Sequence, residues 1–163
     1  MIGIGDEHCK LAVYIGNRPP LKEYQKLDGI IPVVDGELFR IGNETGNHWR
    51  KIINIYAKLG FALNSEGYLT WQSYRDSFLL TKSSRQVLLF DDHIVTEHVN
   101  CINIICGKTY AMKLIDARNL VWIDKDFAID SSASMIVTPY FDYRQLSNLK
   151  LEKLVNIIRN LKK

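Results

Sequence analysis

Short apolar runs alternate along this chain with segments that have helical periodicity. Residues 10–16 are a β-rich run that stops at Gly-Asn-Arg-Pro-Pro, and residues 101–107 are a second run that stops at a glycine. Residues 120–123 and 135–138 predict two more strands. Because parallel neighbouring strands need crossover connections, the alternation predicts a three-layer α/β/α fold with a mainly parallel central sheet.

Residues 41–60 predict the clearest helix, because large apolar side chains recur on one face. Asn43 and Thr45 are candidates for its amino-terminal cap, and Gly60 offers a left-handed stop. A second helix is predicted to start at Thr70, where another apolar stripe begins. The helix over residues 41–60 is expected to pack its apolar face on the sheet.

Two further helices are predicted over residues 108–115 and 149–163, each from apolar residues at helical spacing. Residues 86–90 fit either a strand or the first turns of a helix. Two aspartates favour a helix over residues 91–98, since carboxylates stabilise a helix amino terminus. Turn signals around an apolar run leave the structure of residues 21–40 open.

The length and composition predict a single α/β domain over residues 1–163. With 163 residues, of which 47% are hydrophobic and 24% charged, the chain can build one core but not two comfortable ones. No apolar run approaches the roughly 20 residues of a membrane span, and residues 1–10 lack the pattern of a signal peptide. We therefore expect a cytoplasmic protein without a membrane partner.

Cysteine, histidine and charge content limit the chemistry. Cys9, Cys101 and Cys106 are an odd set without Cys-x-x-Cys spacing, which predicts reduced thiols rather than a disulfide framework or metal cluster. His93 and His98 would lie on different faces of a helix, so they make a poor metal pair. We predict no metal and no cofactor. The net charge of +3 argues against tight binding to duplex DNA.

The loop of residues 138–148 carries the densest group of functional side chains. It follows a predicted strand and precedes the last helix, a position where open α/β sheets bind ligands. Its candidate ligand-binding residues are Tyr140, Phe141, Arg144 and Gln145, and its candidate catalytic residues are Asp142 and Tyr140.

These side chains suit distinct roles around a nucleotide. Tyr140 or Phe141 is expected to stack on a base. Asp142 is expected to position a water molecule, and Arg144 or Arg18 to contact a phosphate.

The loop of residues 16–20 is a candidate for the opposite wall of the same cleft. Its two prolines hold an amide and a guanidinium rigidly at the end of the first predicted strand. Asn17 is a candidate for catalysis and ligand binding, and Arg18 for ligand binding. Asn43 and Asn47 are further ligand-binding candidates near the start of the long predicted helix, although helix capping explains that cluster more simply.

Gly107, Lys108 and Thr109 match only the end of a phosphate-binding loop. Such a loop requires a glycine five residues before Gly107, and Ile102 occupies that position. A plain strand-to-helix turn is therefore predicted, with backbone amides that could still contact an anion.

Four segments follow one another in a suggestive order: residues 14–20 (Tyr-Ile-Gly-Asn-Arg-Pro-Pro), 39–46 (Phe-Arg-Ile-Gly-Asn-Glu-Thr-Gly), 104–111 (Ile-Ile-Cys-Gly-Lys-Thr-Tyr-Ala) and 138–143 (Thr-Pro-Tyr-Phe-Asp-Tyr). Together they resemble the uracil-DNA glycosylase superfamily, particularly its single-domain bacterial branches. That family has a Gly-x-x-Pro-Gly-type loop, a Phe-x-Gly-x-x-Gly stretch that opens a helix, a strand ending in Gly-Lys-x-Ala and a Thr-x-His-Pro-Ser-like strand end. The resemblance implies a uracil-DNA glycosylase-like fold.

The departures from that family bear on activity. A glycosylase stacks a flipped base on an aromatic ring, uses an acidic or amide group at the sugar, and holds charge on the departing base with a donor. Asn17 or Arg18 stands where the family has the acidic or amide group, and Tyr140 where it has histidine. A phenol, with an ordinary pKa of about 10, cannot supply a cation as histidine does. We therefore expect no uracil excision of the usual kind.

Two functions stay open at this point. The first is weak, salt-sensitive binding of a nucleotide or single-stranded nucleic acid. The alternative is a non-enzymatic module whose loop binds a protein or a small ligand, since aromatic and arginine side chains suit either partner.

Overall fold

The computed structural model describes residues 1–90 and 100–162. The helix predicted over residues 91–98, together with His93 and His98, lies outside the described residues. Within the described part of the chain, no helix is long and apolar enough to cross a bilayer.

Eight strands among the described residues form one mixed sheet. The strands are β1 (Gly3–Gly5), β2 (Leu11–Tyr14), β3 (Ile30–Ile31), β4 (Gln86–Leu89), β5 (Ile102–Cys106), β6 (Val121–Trp122), β7 (Ala128–Asp130) and β8 (Met135–Thr138). Their order across the sheet is β3-β1-β4-β2-β5-β8-β7-β6. The four central strands β4, β2, β5 and β8 are parallel, whereas β1 and β7 flank them in the antiparallel direction.

The central strands are buried along their whole length. Strands covered on both faces have continuous apolar sequences, which is why the sequence predicts them well. Leu11 in β2 pairs with Gln86 in β4 and with Ile102 in β5, so the three strands start at one level. Their carboxyl ends consequently meet at one edge of the sheet.

Six α-helices surround the sheet in the described residues: α1 (Lys22–Gln25), α2 (Glu37–Thr45), α3 (Asn47–Leu63), α4 (Trp71–Ser77), α5 (Lys108–Leu114) and α6 (Asn148–Leu161). On one face, Ile52 of α3 and Leu154 of α6 belong to a large apolar cluster with Val13 of β2. On the other face, Ala111 of α5 packs in a smaller cluster with Tyr14. The predicted α/β class, with a mainly parallel sheet between helices, is confirmed.

The strands predicted over residues 10–16, 101–107, 120–123 and 135–138 are confirmed as β2, β5, β6 and β8. Of the ambiguous residues 86–90, residues 86–89 form β4. Strands β1, β3 and β7 were not predicted, because runs of two or three residues are too short to show a period.

The long helix predicted over residues 41–60 is in fact two helices. Gly46, with a φ of 91°, separates α2 from α3. Asn43 and Thr45 therefore lie inside α2 and cap neither helix. A left-handed backbone angle of this kind favours glycine, so Gly46 is the residue that permits the break.

The predicted stop at Gly60 was wrong, because α3 continues to Leu63. A Cβ atom at Gly60 would lie 2.5 Å from Tyr74 Oη and 2.7 Å from Gln86 Nε2. Gly60 is therefore a point of close packing beside α4.

The other helix predictions are confirmed with small shifts in their bounds. Thr70 caps α4, since its side chain accepts a hydrogen bond from the backbone nitrogen of Ser73. Ser147 caps α6 in the same way, because its side chain accepts a hydrogen bond from the backbone nitrogen of Lys150. The helices predicted over residues 108–115 and 149–163 are α5 and α6.

Candidate functional site

The loops that follow β2, β5 and β8 meet at the carboxyl edge of the parallel strands. Asn17 lies three residues after the end of β2 at Tyr14, and Tyr140 lies two residues after the end of β8 at Thr138. Strand β5 lies between these two strands in the sheet. The topology thus brings together two candidate residues that are 123 positions apart.

The centre of the site is the hydroxyl group of Tyr140. Asn17 Nδ2 donates a hydrogen bond to Tyr140 Oη at 2.7 Å. His48 Nε2 lies 2.8 Å from the same oxygen, and the two rings meet edge to face with centroids 5.8 Å apart. We call these three residues, Asn17, His48 and Tyr140, the Tyr140 cluster.

The loop that carries Asn17 is held in place by its neighbours. Gly16 has a φ of 77°, and a Cβ atom there would come within 2.8 Å of the Tyr110 ring. Arg18 Nη1 donates to the carbonyl oxygens of residues 24, 25 and 27. Arg18 therefore fixes the loop against the end of α1, and its predicted role as a phosphate contact has no support in this geometry.

His48 reaches the cluster from the first turn of α3. The break at Gly46 starts this helix next to the loops, and His48 is its second residue. The imidazole stacks on Trp49, with ring centroids 6.2 Å apart and an interplanar angle of 22°. Trp49 is buried and therefore held rigidly, so its indole ring orients the exposed imidazole of His48.

Tyr140 is partly buried, and this changes its acidity. Burial raises the pKa of Tyr140 to about 12, and the hydrogen bond from Asn17 opposes that rise. The phenol therefore stays protonated at neutral pH. A hydroxyl can donate one hydrogen bond and accept two, and Asn17 and His48 use two of these three positions.

The direction of the bond to His48 depends on its tautomer. If Nε2 carries no proton, Tyr140 donates its proton to that nitrogen. If Nε2 carries the proton, both Asn17 and His48 donate to Oη, and the Tyr140 proton is free to bind an acceptor on a ligand.

Asp142 lies on the same loop, but its carboxylate is already paired with two cationic side chains. Its carboxylate accepts from the backbone nitrogen and the guanidinium of Arg144, and Lys51 Nζ lies 3.4 Å away. The bonds from Arg144 hold the pKa of Asp142 well below its usual range. Asp142 is therefore an anchored carboxylate, and a water-activating role would require Arg144 to move.

Phe141 does not belong to the site. Its side chain is fully buried and meets the Tyr56 ring at a centroid distance of 6.3 Å. The prediction that Phe141 stacks on a ligand is corrected by this burial: the ring fills the apolar core beneath α3.

The remaining candidates lie outside the cluster. Asn47 accepts a hydrogen bond from Arg50 Nη1 at 3.1 Å. Asn43 lines a separate cleft between α2, α3 and α4, with Arg50 and Arg75. Gln145 is exposed, and its backbone nitrogen bonds to the carbonyl oxygen of Asp142.

His48 is the member of the Tyr140 cluster that the sequence did not single out. The available signal was that His48 comes two residues after a glycine and directly before a tryptophan. Such a position is typical of an exposed side chain in the first turn of a helix. In the described residues, no group of three or more histidine, cysteine or acidic side chains is placed to hold a metal ion.

The fold and the site define an α/β protein with a polar cluster at the carboxyl edge of its parallel strands. The model of a family of unknown function, DUF6942, matches residues 2–159. The chain belongs to this family. No curated protein and no solved structure matches the chain.

Proposed function

We propose that this protein binds a nucleotide or single-stranded nucleic acid, weakly, at the Tyr140 cluster, and that its fold is uracil-DNA glycosylase-like. We further propose that it lacks uracil excision of the usual kind. The single observation that carries the proposal is the direct contact of Asn17 with Tyr140 at the carboxyl edge of β2 and β8.

The resemblance in sequence is supported by the position of three of its four segments. Residues 14–20 run on from the end of β2, residues 104–111 span the end of β5 and the start of α5, and residues 138–143 run on from the end of β8. Since β2, β5 and β8 are parallel neighbours, these three segments share one edge of the sheet. Ligands of open α/β sheets bind at that edge. The fourth segment, residues 39–46, runs through α2 to its carboxyl end and does not open that helix.

The chemistry of the cluster suits a planar polar ligand. A nucleobase presents carbonyl acceptors and ring N–H donors, which the hydroxyl of Tyr140 and the amide of Asn17 can satisfy. Lys51 and Arg144 both pair with the carboxylate of Asp142 on the same loop. Two cations and one anion leave a net positive charge there, which favours a phosphate in solutions of low salt.

The same contacts argue against excision. The carboxylate of Asp142 is held by Arg144 and Lys51, so it is poorly placed to activate water. Tyr140 holds the position at which the resembling enzymes have histidine, and a phenol is neutral when it carries its proton, so it cannot supply a cation. His48 contacts the Tyr140 hydroxyl from α3, so the imidazole of this site comes from a different segment than in the resembling enzymes.

A second function is favoured by the outer part of the same loop. Tyr143 is 42% exposed and Arg144 is exposed beside it. Tyrosine and arginine are enriched at protein interfaces, so a non-enzymatic protein-binding module is the alternative.

A binding titration separates these functions. We would follow the fluorescence anisotropy of a labelled single-stranded oligonucleotide at low salt, with free uridine monophosphate as competitor. We expect weak binding that fades as salt rises, and about fivefold weaker binding by Tyr140→Phe, because one hydrogen bond contributes about 1 kcal/mol.

Tyr143→Phe is the matched control, since it removes the same hydroxyl from the same loop but from a residue that bonds to Asn54 instead. It should bind like the wild type. No binding at low salt would contradict the proposal and leave the protein-binding alternative. In a uracil-release assay we expect no product, and release that Asp142→Asn abolishes would overturn the view that excision is lost.

A further inference from the structure

Two thiols lie together at the amino ends of the central strands β2 and β5, at the opposite end of these strands from the Tyr140 cluster. Cys9 comes two residues before β2, and Cys101 comes directly before β5. Because β2 and β5 are parallel neighbours, with Leu11 beside Ile102, their starts lie side by side. The topology therefore joins two cysteines that are 92 positions apart in the chain.

The sulfur atoms are close enough to react with each other. The distance from Cys9 Sγ to Cys101 Sγ is 3.3 Å, and both cysteines are free thiols. A disulfide bond has an S–S length of about 2.05 Å, so roughly 1.3 Å of movement would close it. Cys106 lies at the other end of β5 and is buried in the apolar cluster of the α3 face, so it cannot compete.

Exposure gives the two thiols different parts in such a reaction. Cys9 is half-buried, whereas Cys101 is only 1% exposed. The hydrogen bond from Cys101 lowers the pKa of Cys9, and the same contact together with burial raises the pKa of Cys101. Since the thiolate is the attacking form, Cys9 is the thiol that meets an oxidant first.

We propose that Cys9 and Cys101 form a reversible redox-modification site, which a hydroperoxide converts to an intramolecular disulfide. The Cys9 thiolate attacks the peroxide oxygen, the O–O bond breaks, and Cys9 becomes a sulfenic acid while an alcohol or water leaves. Cys101 then attacks the Cys9 sulfur, the S–O bond breaks, and the hydroxyl leaves as water with the thiol proton of Cys101. Two thiols are oxidised by two electrons in total, and one peroxide is reduced.

The disulfide would tie β2 to β5 where both strands begin. A cross-link over a long stretch of chain restricts the unfolded state, which raises thermal stability. The same two strands carry the loops of the candidate site at their other ends, so the link would also fix their relative position.

Intact mass and thermal unfolding of the full chain test this proposal. After treatment of the reduced protein with hydrogen peroxide, we expect the mass to fall by two hydrogen atoms and one thiol, Cys106, to stay alkylatable on denaturation. Proteolysis should release a Cys9–Cys101 cross-linked peptide. The oxidised protein should melt roughly 5–15 °C higher, and dithiothreitol should reverse both changes.

Two variants make the result specific to this pair. Cys106→Ala keeps both reacting thiols and should oxidise like the wild type. Cys9→Ser should keep both remaining thiols reduced, because Cys101 is buried. Oxidation of Cys9 to a sulfinic acid while Cys101 stays free, or a cross-link between two chains, would overturn the proposal.

Discussion

Tyr140 and Phe141 are adjacent in the sequence and belong to two different regions of the molecule. Tyr140 lies in the exposed polar cluster, where its hydroxyl contacts Asn17 and His48. Phe141 lies in the buried aromatic layer beneath, against Tyr56 of α3. A single peptide unit separates a polar side chain near the surface from one packed in the core.

The contrast between these two side chains shows how the loop after β8 is held. Phe141 and Leu146 are both buried, so they fasten the two ends of the polar stretch to the core. The hydrogen bonds of Asp142 to Arg144 close the turn between them. These buried side chains thus anchor the loop, and its polar side chains lie above them.

The strongest test of this division is Phe141→Ala. Loss of a fully buried phenyl ring leaves a cavity, and we expect the free energy of unfolding to fall by about 3–5 kcal/mol. Urea unfolding followed by circular dichroism measures the change. Tyr143→Ala, on the exposed part of the loop, should lower it by less than about 1 kcal/mol. Equal losses in the two variants would erase the distinction between the two regions.

Gly60→Ala extends the comparison along α3, which has His48 at its exposed start and Gly60 in its buried part. The new methyl group would press on Tyr74 and Gln86, which are hydrogen-bonded to each other at 2.6 Å. We expect a net loss of about 1–2 kcal/mol, since overpacking outweighs the gain in helix propensity.

Gly29→Ala is the matched control, because a Cβ atom there meets nothing within 4 Å. Its stability should stay within about 0.5 kcal/mol of the wild type. An increase in the stability of Gly60→Ala would show that the layer beside α4 is looser than the contacts suggest.

Asp142→Asn examines the turn that joins the two regions. The folded-state pKa of Asp142 is depressed, so its contribution is present above the unfolded value of about 4 and is lost as pH falls through the folded pKa. At pH 7 we expect the variant to lose less than about 1 kcal/mol, because Arg144 is largely exposed. The gap to the wild type should close only as the pH falls below about 4.

Asp35→Asn removes an exposed carboxylate from the loop before α2 and serves as the control. Its stability should follow that of the wild type at neutral pH. A gap for Asp142→Asn that is unchanged between neutral and strongly acidic solutions would mean that charge is not the reason for it.

Tyr140→Phe should have the smallest effect on stability and a clear effect on binding. Removing a partly exposed hydroxyl from Asn17 and His48 is expected to lower the free energy of unfolding by about 0.5 kcal/mol. Oligonucleotide affinity should fall about fivefold in the same variant. A variant that loses several kcal/mol would place Tyr140 with Phe141 in the buried layer.

The sequence was most informative where a pattern had a physical period or a strong terminator. Continuous apolar runs predicted β2, β5 and β8, since each is covered on both faces. Thr70 gave the start of α4 because its hydroxyl is a good cap.

Other features could not be read from local sequence. Gly46 breaks the long helix, whereas Gly60 does not, and the difference lies in backbone angle and in contact with Tyr74. Phe141 and Tyr140 could not be separated, because past Pro139 no strand period says which side chain points inward. His48 reaches the site only because of the way α3 packs in the fold, and local sequence does not determine that packing.

Nuclear magnetic resonance can show whether a ligand contacts the Tyr140 cluster. In a titration of ¹⁵N-labelled protein with a single-stranded oligonucleotide at low salt, the side-chain amide of Asn17 reports on the cluster. The side-chain amide of Asn64, which follows the opposite end of α3 and accepts a hydrogen bond from the backbone nitrogen of Glu66, is the internal control. We predict that the Asn17 signals shift with saturation while those of Asn64 stay in place. Saturated binding with unmoved Asn17 signals, or no binding at all, would contradict ligand binding at the Tyr140 cluster.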